Sequence, residues 1–250
     1  MNAELCNIFV YNDSMSEGPD AINIPSRLDS DFANRLLEKA RNIGELTQRL
    51  DRISQEFLGS AYQEGSLGGG PALDEEFRID LTVFDCVTLI EVVLAVALAD
   101  TVPDFIDKTR RIRYEEGRIS WFHRNHYMVD WVRNNERSGF IRNVTSGPLT
   151  AVKYCTLNLI QGLEARTAIF KYFPAEELVA VKRVMDGGDI VLFVSTRSDL
   201  DVFHTGFVFD RGGRFVMRHA TRRAGFVVDQ DLEEFVGQNQ LAGIIVLRPL

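Results

Sequence analysis

DIVLFVSTRSDLDVFHTGFVFDRGGRFVMRHAT, residues 189–221, holds three short runs rich in β-branched and aromatic residues: Asp189–Thr196, His204–Asp210 and Phe215–Thr221. Arg211-Gly212-Gly213-Arg214 supplies the hairpin turn between the second and third. A fourth strand, GIIVLR, is predicted over Gly243–Arg248. Upstream of Gly188 the period is helical instead. Phe32, Leu36, Leu37, Ala40, Ile43, Leu46, Leu50, Ile53 and Phe57 recur at helix spacing, with Ser30 as N-cap, Gly44 as a bend or split and Gly59 as the stop. Further helices are predicted over Leu81–Ala99, which is apolar on nearly all sides, over Pro103–Arg113 and over Pro174–Met185. Ile119–Thr145 reads as an irregular, aromatic-rich stretch, Gly65–Pro71 as a flexible loop, and residues 1–29 as an irregular lead-in. Helices first and an antiparallel sheet second is an α+β order, not alternating βαβ.

Composition narrows the function classes. Dividing 250 residues by about 150 per domain gives one or two domains. Hydrophobic residues at 45% and charged residues at 26% fit a globular chain and exclude a disordered or fibrous one. The formal charge of −8 lacks the field that non-specific binding to nucleic acid or an anionic membrane needs. The basic run Lys108–Arg113 and the doublet Arg222-Arg223 read as solvated faces. Asp85 and Glu91 interrupt the most apolar stretch, so a core helix explains it better than a membrane span. The N-terminus shows no secretory signal, although a chain relieved of its leader would look the same.

Three cysteines, Cys6, Cys86 and Cys155, are too few and scattered for a disulfide framework or a zinc ribbon. No phosphate loop, dinucleotide fingerprint, HExxH or EF-hand loop is present. What remains is Cys86 in FDCVTLIE (Phe84–Glu91), after a polar loop and at the opening of an apolar helix. A helix N-terminus lowers a thiol's pKa and offers N–H groups to an oxyanion. Alone, such a cysteine is more often inert core. Of four histidines, His204 and His219 fall in adjacent predicted strands, where a tight hairpin makes them neighbours across the ladder. That suits a base oriented by a second polar ring, as a Cys–His catalyst requires. A Cys-His-His zinc site and a pair of structural histidines are the alternatives. His123 and His126, in the aromatic stretch, suit a surface or substrate-contact role.

Seven segments in order carry a family resemblance: FLGSAY (57–62), FDCVTLIE (84–91), IRYEEG (112–117), HYMVDWVRNN (126–135), MDGGDIVLFVST (185–196), DVFHTGF (201–207) and RHAT (218–221). The sequence resembles the bacterial N-acetylmuramoyl-L-alanine amidase-like proteins, a branch of the NlpC-type papain-like cysteine peptidases, over about residues 57–248. The resemblance implies a papain-like α+β fold with N-terminal helices packed on an antiparallel, partly barrel-like sheet, and one catalytic domain over 30–250. It implies hydrolysis of peptidoglycan stem-peptide amides, typically the γ-D-glutamyl–diamino acid bond, with no cofactor and no metal. Cys86 matches the nucleophile, His204 the base and His219 the residue that orients it. Tyr62 and Asp85 match substrate-contacting positions, Asp85 as a receptor for a free stem-peptide amine, and Trp131 is a candidate for the cleft wall. Val87-Thr88 departs from the usual Ser after the nucleophile. The expected partner is a muropeptide, and the expected location the cell envelope or periplasm if a leader was removed, the cytoplasm otherwise. True N-acetylmuramoyl-L-alanine amidase activity, an antibacterial toxin and an inactive muropeptide-binding module are the alternatives.

Overall fold

The computed structural model describes residues 25–250 of the chain. Cys6 and most of the irregular lead-in expected over 1–29 therefore lie outside the described residues. The helical stretch from Ser30 to Gly59, expected to bend or split at Gly44, is split into α1 (Ser30–Arg41) and α2 (Leu46–Gln55), parted at Asn42–Glu45. Asp29, not Ser30, caps α1, its carboxylate accepting the Phe32 N–H at 2.8 Å. Ala33, Leu36, Leu37 and Ala40 form the buried stripe that helix spacing dictates. The central helix α3 is shorter than predicted, Cys86–Leu98, and every residue from Thr88 to Ala97 is buried. Two helices follow, α4 (Val102–Arg113) and α5 (Met128–Arg137). The latter runs through the stretch expected to be irregular.

The described residues form ten strands, β1 (Ala61–Tyr62), β2 (Val83–Phe84), β3 (Ile141–Asn143), β4 (Ala151–Leu157), β5 (Arg166–Pro174), β6 (Ile190–Val194), β7 (Val202–Asp210), β8 (Phe215–Thr221), β9 (Phe226–Asp231) and β10 (Gly243–Pro249). They form one sheet in the order β2-β1-β9-β8-β7-β6-β10-β5-β4, with β3 on β10. All pairs are antiparallel except β1 with β2, so the sheet is mixed and its ends do not close on each other. The helix expected over Pro174–Met185 shrinks to a 3₁₀ turn (Ala175–Glu177) and the single-turn α6 (Leu178–Val181). A last helix, α7 (Leu232–Gln238), packs beside β8 and β9.

Both faces of the middle of the sheet are covered, which is why β6 is apolar at every position. Leu192, Val194, Phe207 and Ala220 join the core under α1–α4. Val191, Phe193, Val208 and Met217 pack on the other face with Val181, Met185 and Phe235. Alternation along a strand then puts Thr205 on the α3 face of β7, and His204 and His219 on the α7 face of β7 and β8. Arg218, next to His219 but on the opposite face, ties the sheet to α2. It is almost fully buried, donates to both Asp229 oxygens at 2.7 Å, and reaches Asp51 and the Ser54 hydroxyl at 3.0 and 2.9 Å.

Candidate active site

The strand β2 delivers the chain to α3 in an extended conformation, and Asp85 stops it there as N-cap. Asp85 Oδ1 accepts the Val87 and Thr88 N–H groups at 3.0 and 2.7 Å, while Thr88 Oγ1 accepts the Asp85 N–H at 2.9 Å. This reciprocal box fixes Cys86 at the first helical position with its thiol half-buried. Sequence reasoning expected a lowered thiol pKa; the structure gives the opposite. Burial, and then the Asp85 carboxylate, push the Cys86 thiol up to about 12, against a weaker pull from the Thr205, Cys86 and Val87 N–H groups. The cap explains the reversal. A carboxylate that occupies two N–H groups of the first turn cancels the positive helix end that would have favoured a thiolate.

His204 is aimed by an irregularity. Between Phe193 and Val194 the β6–β7 register slips, so that Phe193 faces His204 but Val194 faces Val202, and Phe203 is the extra residue. The His204 ring is stacked with Phe193 and with Phe235, at 6.2 and 5.3 Å between centroids. Its Nε2 lies 2.6 Å from His219 Nδ1, and the two rings meet edge to face at 4.8 Å. The hairpin thus makes neighbours of the two imidazoles, as their strands predicted. His219 has no exposed surface. Close packing behind the pair rests on Gly206: a Cβ there would stand 2.8 Å from Arg218 O and 2.9 Å from His219 Cβ. Gly206→Ala is expected to destabilise the protein by about 1–3 kcal/mol and to displace His219, read as a lower melting temperature together with lower turnover.

Burial, reinforced by the neighbouring ring, holds His204 down to about 3, and burial holds His219 down to about 4. Both are neutral in the folded protein where an unfolded chain begins to protonate them. The stability they contribute is complete above the ordinary histidine pKa of about 6.5 and is lost as the pH falls from there through the folded values. The loss should approach about 1.4 kcal/mol per pH unit for each ring. Urea midpoints at about pH 7 and about pH 5 check this. The wild type should lose more stability between them than a His204→Gln/His219→Gln variant, and equal losses would contradict the assignment.

Cys86 and His204 line one cavity of about 280 Å³, together with Thr205 and with Arg124, Tyr127 and Asp201 from neighbouring loops. Tyr62 stands at the thiol from the β1 side, half-buried, its phenol pushed up to about 12 by burial and by the Cys86 and Asp85 charges. Asp85 is also beside the thiol; Oδ1 is committed to the cap and Oδ2 makes no hydrogen bond among the described residues. Trp131, expected in the cleft wall as a substrate contact, does not line the cavity. It is wholly buried in the core under α3 and offers a substrate nothing, because the inward stripe of α5 carries it.

Other residues shape the cleft without having been singled out. Tyr127 OH accepts the Leu159 and Ile160 N–H groups at 2.8 and 3.2 Å, and Trp121 Nε1 donates to Gln161 O at 2.9 Å, pinning the β4–β5 loop over the cavity. The guanidinium of Arg124 is held by Glu75 and lies 5.0 Å over the Trp121 ring. The buried Asp201 accepts the Val129 N–H at 2.9 Å. His126 reaches the cavity wall, yet its Nε2 is occupied by Trp121 O at 2.8 Å; His123 bonds Ser120 outside it. Asp201 lies three residues from His204, and Arg124 and Tyr127 adjoin His123 and His126. Among the described residues no three His, Cys, Asp or Glu side chains converge as metal ligands, and no helix is long and apolar enough to cross a membrane.

The Cys86 thiol at the start of α3 and the His204 ring on β7 thus line one cavity, with no hydrogen bond between them. Residues 52–244 match the family model described as AmiA-like, N-acetylmuramoyl-L-alanine amidase-like, and the chain belongs to that family of peptidoglycan hydrolases. Among curated proteins no match was found. The fold is similar to the crystal structure of a Legionella pneumophila protein, with TM-score 0.79 and 22% identity over 88% of this chain and 94% of that one. It is also similar to an N-acetylmuramoyl-L-alanine amidase from Bacteroides uniformis, with TM-score 0.73 and 25% identity over 82% of this chain and 99% of that one. A further amidase structure from the same organism gives TM-score 0.68 and 27% identity, over 78% and 96%.

Proposed function

We propose that the chain is a cysteine hydrolase built on a papain-like plan, cleaving an amide bond of peptidoglycan fragments through an acyl-enzyme. The observation that carries the proposal is the Cys86 thiol and the His204 ring on the wall of one cavity, with His219 at 2.6 Å behind the ring. Because Nε2 of His204 is turned to His219, Nδ1 is the atom left to take the thiol proton. The resting pair is neutral thiol and neutral imidazole, so the proton moves to His204 as Sγ closes on the carbonyl carbon, not before. Asp85 already occupies the Val87 and Thr88 N–H groups, which leaves the N–H of Cys86 itself and that of Thr205 to steady the tetrahedral oxyanion. His204 then gives its proton to the leaving amine as the C–N bond breaks. A water molecule, deprotonated by the same ring, attacks the thioester and releases a carboxylate and the free thiol.

The names of the Bacteroides relatives favour the amide between the N-acetylmuramoyl group and L-alanine as the scissile bond. One observation favours the γ-D-glutamyl–diamino acid bond instead: Asp85 Oδ2, unbonded beside the thiol, has the chemistry to receive the free amine of a stem peptide. Tyr62 flanks the thiol as a substrate contact. Peptidoglycan lies outside the cytoplasm, so this activity implies action in the cell envelope unless the substrate is an imported fragment.

Digesting purified muropeptides and weighing the products tests the proposal and separates the two bonds. The first cut leaves a lactoyl-sugar acid and a peptide with a free L-alanine amine; the second leaves a free γ-D-glutamate carboxylate. Fragments that bind but return intact would make the chain a binding module.

A further inference from the structure

The two rings of the histidine pair do not by themselves settle which one carries the proton between them. His204 Nε2 and His219 Nδ1 share one hydrogen bond at 2.6 Å, and either can be its donor. If His204 is to accept a thiol proton at Nδ1, its own proton must sit on Nε2. His219 Nδ1 is then the acceptor, and the His219 proton is on Nε2. That Nε2 is buried and has no hydrogen-bond partner among the described residues. The opposite tautomer would avoid an unpaired N–H, but it would put the His204 proton on Nδ1, where the base needs a lone pair. Something outside the pair has to decide.

Gln230 is placed to do so. In the β8–β9 register His219 lies opposite Val228 and Met217 opposite Gln230, which makes Gln230 the diagonal neighbour of His219 on one face. Its side chain stands within reach of the ring. The sense of its amide is imposed from the surface. Gln238 Nε2 donates to the Glu234 carboxylate at 2.8 Å, and Gln238 Oε1 accepts from the Arg223 guanidinium at 3.0 Å. A carboxylate accepts and a guanidinium donates, so Gln238 has only one orientation, and it presents Oε1 to Gln230. Gln230 meets it with Nε2, at 3.4 Å. The free end of Gln230 is therefore an acceptor, the partner an N–H at His219 lacks.

We infer that Gln230 is a positioning residue for the hydrolysis proposed above: its Oε1 accepts the Nε2–H of His219 and so selects the tautomer that leaves His204 Nδ1 bare towards Cys86. Glu234 and Arg223 anchor the sense of the chain, and the bond from His219 to Gln230 is the one link not closed in the resting structure. The polar order of the site is on this account written from the surface inward, through four side chains that never touch substrate.

The test compares Gln230→Met, which keeps length and removes the acceptor, with Gln230→Glu, which keeps an acceptor. Each is made in full-length protein labelled with ¹⁵N-histidine. The imidazole nitrogen shifts of wild type should report His204 and His219 both protonated at Nε2. Gln230→Met should move proton density to Nδ1 and lower kcat by about tenfold or more with KM little changed, at an unchanged melting temperature. Gln230→Glu should restore the wild-type shifts and most of kcat. Wild-type shifts and kcat in Gln230→Met, or a Gln230→Glu protein no better than it, would overturn the inference. If Gln230→Met does not fold, Gln230→Glu is compared with Gln230→Ala by the same shifts. The nitrogen shifts need no substrate, so a wild type that cleaves no muropeptide counts against the proposed hydrolysis and leaves the tautomer result readable.

Discussion

Cys86→Ala should lower muropeptide hydrolysis by about four to six orders of magnitude while the protein melts within a few degrees of wild type. Removing the sulfur takes away the atom that forms the acyl bond, and no other described thiol can replace it. Cys155, the other free cysteine among the described residues, is buried on β4 away from the cavity lining. The structural cost is small because the side chain is short, half-buried and outside the cap: Asp85 and Thr88 form the box with or without a thiol between them. Free Cys86 should also react slowly with iodoacetamide near neutral pH, since burial and Asp85 keep it protonated. Slow alkylation is therefore compatible with catalysis, and turnover of Cys86→Ala is the sharper measurement. Appreciable residual hydrolysis in that variant would remove the nucleophile from the scheme.

The largest effect on stability is expected one turn deeper in the same helix. Glu91 and Arg113 form an ion pair between α3 and α4 at 2.7 Å, with side chains only 3% and 2% exposed. Arg113 also donates to the carbonyl of Arg78 and so ties the preceding loop to the pair. Burial pushes the Glu91 carboxyl up and Arg113 opposes it, which means the charge is tolerated only while the guanidinium is there. Arg113→Met should destabilise by about 3–5 kcal/mol, because it strands a carboxylate in the core. At the usual slope for a domain of this size, that is a fall of about 10 °C in melting temperature. Arg113→Met combined with Glu91→Leu should recover most of the loss, since two apolar side chains of similar volume leave no charge unpaired. A double variant as unstable as the single one would contradict this assignment.

How much of the architecture could be foreseen depended on whether a segment's period was masked. Strands β6, β7, β8 and β10 announced themselves because burial on one or both faces made their apolar runs continuous. Strands β4 and β5 did not. They lie at one end of the sheet, where Thr156, Arg166, Thr167 and Lys171 face solvent between apolar neighbours. Their pattern looks like a polar loop until the ladder pairs Cys155 with Ala168. The helix α5 was hidden by its own aromatic residues: Trp131 was expected in the cleft wall, but the spacing that carries it also turns it inward.

At the site, Cys86, His204 and His219 were legible because residue type and position each narrowed the choice. The thiol pKa was not. Helix-end electrostatics predicts a lowered value only when the first N–H groups are free, and the cap that occupies them is the residue immediately before the cysteine. Arg124, Tyr127 and Asp201 were not singled out, although HYMVDWVRNN and DVFHTGF contain the last two. They reach the cavity from two places in the chain, residues 124–127 and residue 201, brought together by loop contacts.

The most direct measurement is the mass of the protein itself during turnover. Wild type mixed with a muropeptide and quenched in acid within the first turnover should carry an added acyl group, mapped to the peptide that contains Cys86. Its mass also identifies the bond: a lactoyl-sugar acyl for the N-acetylmuramoyl–L-alanine amide, an L-alanyl-γ-D-glutamyl acyl for the other. An adduct on any other residue, or hydrolysis with Cys86 never acylated, would contradict the account.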